Sequence, residues 1–160
     1  MARVIYISVL VFLVDQASKY WILNGLRLQD IGIYEVFPPF LVFKMAWNQG
    51  VNFGLLAGFD ARWILVGVSL AIVLGIFIWV SRAPMNSLSK LCAGLLIGGA
   101  LGNVIDRVLY GAVVDFLNMS CCGVSNPFAF NIADVAIFVG ALGLVFFAPS
   151  GQSDDDGPVL

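Results

Sequence analysis

Apolar residues along this chain come in long runs separated by short polar stretches. The first is Val4 to Val14, resuming after DQASK with Tyr20, Trp21, Ile22 and Leu23. Arg3 ahead of an apolar run resembles a secretory signal peptide, but the small-x-small cleavage site is missing. The stretch therefore predicts an uncleaved membrane helix over about residues 2–24. An uncharged run from Trp63 to Ser81 predicts a second span, about 62–81, and further runs predict spans of about 90–110 and 128–148. Within the third, GLLIGGALG places small residues at helical spacing, suited to close contact between helices.

The stretch 25–59 has a different pattern. Ile31, Ile33 and YEVF alternate, Pro38-Pro39 interrupt, and FLVFKMAW follows with β-branched and aromatic residues. It predicts a small sheet lying against the membrane surface, ending in a loop from Asn48 to Gly54. After Pro149 the tail, 150–160, is polar and acidic and predicts disorder. Residues 1–149 thus form a single membrane domain. The expected class is membrane all-α, a four-helix bundle with a β-sheet appended.

Composition supports a membrane chain: of 160 residues, 61% are hydrophobic and 11% charged, where soluble domains carry about 25% charged. The formal charge of −2 comes with no basic run, which excludes a nucleic-acid surface. There is no histidine, so Ser-His-Asp and Cys-His catalysis and the common zinc sites are excluded. Cys92 lies in an apolar run, and Cys121 and Cys122 are adjacent without CxxC spacing or an activating group. Whether those two are bonded is not legible.

Four spans put both termini on one side. Arg3, Arg82 and Lys90 lie on that side, against Arg27, Lys44 and Arg62 on the other. Arg3 and the 82–90 loop flank spans closely, which favours cytoplasmic termini. Independently of orientation, the costly polar groups gather at the opposite face. Asp15 and Lys19 (i, i+4) end span one, and Asn48 and Asn52 follow it. Asn103, Asp106 and Arg107 share one face near the end of span three, with Asp115 just beyond. Asn131 and Asp134 (i, i+3) open span four and are expected to share one helix face.

Two carboxylates without histidine are compatible with several chemistries. Asp115 and Asp134 can share a proton and activate water against an amide, as in aspartic peptidases. Oxygen ligands can hold a divalent metal, though Arg107 and Lys19 would compete with it. A proton or ion path needs polar groups through the whole bilayer and shows no internal repeat here. Lys19 with Ser120 or Ser125 would make a Ser-Lys pair. Polar contacts that merely hold helices together account for the same residues, and Asp15–Lys19 reads equally as a packing ion pair.

At these residues the chain resembles bacterial signal peptidase II, the lipoprotein signal peptidase. The matching blocks are DQxxK at Asp15–Lys19, N-x-G-x-x-F-G at Asn48–Gly54, GNVIDR with VVDF across Gly102–Phe116, and FNIAD at Phe130–Asp134. Val51-Asn52 departs from the small residues usual in the second block. The resemblance implies a four-transmembrane-helix bundle with a periplasmic β-cradle and a short periplasmic helix or loop between spans three and four. It implies catalytic Asp115 and Asp134, with Asp15, Lys19, Asn48, Asn103, Arg107 and Asn131 supporting or contacting substrate. It further implies an enzyme of the bacterial inner membrane with both termini cytoplasmic and its site at the periplasmic face. Neither metal nor cofactor is expected. Partners would be lipidated prolipoproteins, membrane lipid and globomycin-type inhibitors, and a single chain is expected to suffice.

Overall fold

In the computed structural model, residues 1–50, 61–121, 123 and 126–147 are described. Its centre is the helix α4, Ser87–Tyr110, against which three other helices pack. These are α1 (Ala2–Tyr20), α3 (Ala61–Arg82) and α5 (Ile132–Phe147). A single turn, α2 (Leu28–Ile31), leads into a sheet in the order β1 (Ile33–Phe37), β2 (Leu41–Asn48) and β3 (Val113–Asn118).

Glycines decide how closely α1 and α5 approach α4. A Cβ on Gly98 would lie 2.5 Å from the Ser8 carbonyl of α1, and one on Gly140 would lie 2.6 Å from the Cys92 carbonyl of α4. Ser8 Oγ donates to Val4 O at 2.9 Å and Gly94 O at 3.2 Å, so the interface carries a hydrogen bond as well. Gly98→Leu is expected to force α1 outward at a cost of about 1–3 kcal/mol. Thermal unfolding in detergent reads this as a lowered Tm; an unchanged Tm would show the contact to be slack.

The contacts also give helix direction. Residues 4, 8, 15 and 19 of α1 meet 94, 98, 102 and 106 of α4 in ascending order, so the two run parallel. Ala133 lies against Gly99 whereas Phe147 O accepts from Ser89 Oγ, so α5 runs antiparallel to α4. Asn86 caps α4, its Oδ1 accepting the Ser89 amide at 2.8 Å. Gly111, at φ +80°, takes the left-handed conformation that ends the helix and turns the chain into β3.

Three helical segments are long and apolar enough to cross a membrane among the described residues: Ala2–Gly25, Ala61–Arg82 and Ser87–Tyr110. Ala2–Gly25 includes a wider turn, Trp21–Gly25, after α1. The fourth apolar helix, α5, has 16 residues and starts at Ile132, whereas the sequence reading opens its span at 128. Phe130 instead exchanges backbone hydrogen bonds with Leu117, which holds 128–131 beside the sheet. Large apolar side chains on α1, α3 and α5, including Leu13, Leu74 and Phe138, are exposed as a lipid-facing surface requires.

The sheet differs from the expected cradle in one respect. Its third strand comes from beyond α4, in the place where a short helix or loop was expected. VVDFLN is rich in β-branched and aromatic residues, and β2 offers it an edge to pair with. Ile22, Leu28 and Phe116 bury themselves under the sheet, with Phe43 edge-on to Phe116 and Trp21. Residues 51–59 of the expected cradle and the tail 150–160 lie outside the described residues.

Candidate active site

The register between β2 and β3 aims Asp115. Asn48 stands opposite Val113, so Asp115 is its diagonal neighbour on the same face of the sheet. Asn48 Nδ2 donates to Asp115 Oδ2 at 3.0 Å, and Asn131 Nδ2 donates to Oδ1 at 2.6 Å. Both carboxylate oxygens therefore have donors although the residue is only 2% exposed.

Asp134 is placed by the start of α5. Asn131 is the capping residue: its Oδ1 accepts the Asp134 amide at 2.8 Å, and Asp134 Oδ2 accepts the Asn131 amide at 3.2 Å. This reciprocal pair is a capping box with aspartate in the usual glutamate position. It leaves Asp134 Oδ1 to accept from Asn103 Nδ2 at 2.9 Å. Asn131 thus touches both carboxylates, one through its side chain and one through its backbone.

Burial, followed by the charge of Asp134, pushes the Asp115 carboxyl from its ordinary 3.8 up to about 6. The hydrogen bonds from Asn48 and Asn131 and the more distant charge of Lys19 pull the other way without cancelling the rise.

Behind the two aspartates lies a buried ion cluster. Lys19 Nζ is 2.7 Å from Asp15 Oδ2 and 2.7 Å from Asp106 Oδ2, and donates to Asn103 Oδ1 at 3.3 Å. All three ionic side chains are 2% exposed or less. Arg107 donates from Nη1 to Asn103 O at 3.3 Å and feels the charges of Asp134, Asp106 and Asp115.

Residues 7–148 match the family described as Signal peptidase (SPase) II. The chain belongs to the signal peptidase II family. It is 44% identical over 147 residues to the lipoprotein signal peptidase of Methylorubrum extorquens (strain PA1), covering 88% of this chain and 84% of that protein. It is 42% identical over 136 residues to the lipoprotein signal peptidase of Caulobacter vibrioides, covering 84% and 79%. Its fold is similar to a bacterial membrane enzyme solved by the in meso method at 1.9 Å, with TM-score 0.79 and 31% identity over 91% of this chain and 92% of that one. A second bacterial membrane enzyme, solved by the same method at 2.3 Å, gives 0.78 and 29% over 100% and 96%.

In this member of the signal peptidase II family, the eight residues to which the resemblance assigns catalytic or supporting roles meet at one end of the bundle. Asp15, Lys19, Asn48, Asn103, Asp115, Asn131 and Asp134 are joined by side-chain hydrogen bonds, and Arg107 by its bond to Asn103 O. Asn131 and Asp134 do not share a helix face, because Asn131 precedes the helix as its cap. Two participants went unassigned. Asp106 accepts the Val114 amide at 3.1 Å, and Gln16 Nε2 donates to Asp15 at 3.2 Å and Asp106 at 3.0 Å. For both a signal existed: Asp106 stands three after Asn103 in the GNVIDR block, and Gln16 is the second residue of the DQxxK block. Ser120 is occupied with Asn118 and the Asn126 amide rather than with Lys19. Asn52, Ser125 and Cys122 lie outside the described residues. Cys92 is a free thiol and Cys121 is disulfide-bonded.

Proposed function

We propose that this protein is a membrane aspartic endopeptidase removing signal peptides from diacylglyceryl-modified prolipoproteins, cutting on the amino side of the lipidated cysteine. The observation that carries the chemistry is the pair of carboxylates that Asn131 joins, Asp115 through its side chain and Asp134 through its backbone amide, with burial and the charge of Asp134 raising Asp115 to about 6. Two neighbouring carboxylates hold one proton more readily than none. Below about pH 6 Asp115 carries that proton. Asp134 takes a proton from the attacking water while Asp115 protonates the carbonyl oxygen, giving a gem-diol. On collapse the C–N bond breaks, Asp134 gives its proton to the departing nitrogen, and Asp115 recovers one from a diol hydroxyl. Both carboxylates return to their starting states, so neither metal nor cofactor is needed. Arg107 offsets the negative charge of the pair, and Asn48, Asn103 and Asn131 hold the carboxylates in place.

Placement in the inner membrane follows the same reading. The site lies at the end of the bundle opposite Arg3, Arg82 and Lys90, so cytoplasmic cations leave it at the periplasmic face. That α5 runs from the level of Gly99 back to Ser89 supports its counting as a fourth span within a single domain, 1–149. At this face the scissile bond can reach the aspartates while the acyl chains remain in lipid.

The test is cleavage in liposomes of one precursor offered with and without its diacylglyceryl group. Cleavage of the lipidated form alone, blocked by globomycin and indifferent to chelator, is expected. Activity lost in chelator and restored by a divalent ion would replace this mechanism with a metal-dependent one.

A further inference from the structure

The buried ions behind the site are arranged around two particular backbone amides. Asp15 Oδ1 accepts the amide of Ala133 at 2.9 Å, and Asp106 Oδ2 accepts that of Val114 at 3.1 Å. These residues immediately precede Asp134 and Asp115. The other oxygen of Asp15 and the same oxygen of Asp106 each lie 2.7 Å from Lys19 Nζ. An unbroken chain of contacts therefore runs from Ala133 through Asp15, Lys19 and Asp106 to Val114.

We propose that Asp15, Lys19 and Asp106 are positioning residues that set the separation of Asp115 and Asp134 by gripping the backbone one residue ahead of each. The assignment rests on the aspartic peptidase reading of the site and deepens it. An ion pair that only bolted α1 to α4 would have no need of those two amides. Here Asp15 gives one oxygen to its amide and Asp106 shares one between its amide and Lys19, and successive Cα atoms are only about 3.8 Å apart, so the grip acts close to both aspartates. Charge-assisted hydrogen bonds to carboxylates are shorter and stronger than neutral ones. Space has been left for the device: a Cβ on Gly102 would lie 2.6 Å from Asp15 Oδ2. Gln16 Nε2 ties the arms together, donating to both carboxylates and to Gly102 O at 3.3 Å.

The chain of contacts also gives a direction. Lengthening either arm pushes Val114 and Ala133 apart, and with them the two aspartates. More distant carboxylates repel less, so the proton they share is released at lower pH. The charged groups facing the pair are Lys19 and Asp15 from α1 and Asp106 and Arg107 from α4. Asp106→Glu and Asp15→Glu keep every one of those charges, so a changed titration reads geometry.

The experiment measures the pH–rate profile for lipidated precursor with these two variants and with Gln16→Leu, beside Tm in detergent. In each Glu variant, kcat is expected to fall about 10-fold or more, as small misplacements do, with KM within about 3-fold. The alkaline limb of kcat should move to lower pH. Gln16→Leu leaves the ammonium and both carboxylates in place and should move the limb less, in the same direction; it serves if a Glu variant does not fold. Activity that falls only with the folded fraction, the limb staying at its wild-type position, overturns the proposal. A wild-type protein that leaves the lipidated precursor uncut would instead sink the peptidase reading itself.

Discussion

Asp115→Asn is expected to abolish precursor cleavage, by about 10²–10⁴-fold or more, while the chain still folds and inserts. Asparagine has the same size and can still accept one of the two hydrogen bonds that Asn48 and Asn131 offer. It cannot carry the exchanged proton. The wild-type rate is expected to fall as pH rises past about 6, where Asp115 loses that proton. Stability gives a second readout with a definite sign. Because folding raises the Asp115 carboxyl from 3.8 to about 6, the folded state binds its proton more tightly than the unfolded one. That contribution is fully present below about pH 4 and is lost as pH rises through about 6. The variant has no such loss, so its Tm relative to wild type should improve across this window. Full cleavage by Asp115→Asn would eliminate the dyad. A Tm difference that does not vary with pH would contradict the raised carboxyl.

Lys19→Met should have the largest effect on stability. Removing one partner of a buried ion pair typically costs about 3–5 kcal/mol, because the remaining charge is left uncompensated. Here two carboxylates, each fully buried, would lose the ammonium they share. Methionine fills the stem's volume but donates no hydrogen bond, so Asn103 Oδ1 loses a donor as well. Folded yield and Tm should fall together with activity. A variant that keeps its Tm and loses only turnover would show that Lys19 acts on substrate.

Much of the bundle was legible because lipid imposes long apolar runs, and the site because its charges are costly there. Asp15, Lys19, Asn103 and Arg107 could be assigned to helix faces by spacing alone. The pairing of β3 with β2 could not, because a strand's partner is not encoded within the strand: Val113–Asn118 needed the edge that Leu41–Asn48 supplies. Asn131 was misplaced onto the helix because a capping asparagine and a helical one look alike in sequence. Asp106 was underrated since its significance lies in the Val114 amide, a backbone group with no sequence signature.

The split of the two aspartates between β3 and α5, with ties reaching back to α1, has a consequence for biogenesis. No partial chain contains the site. A ribosome that has delivered α1 through α4 and β3 has made Asp115 but neither Asp134 nor the Ala133 amide to which Asp15 is fastened. On the proposed mechanism the nascent enzyme is therefore inert until its last apolar helix has docked.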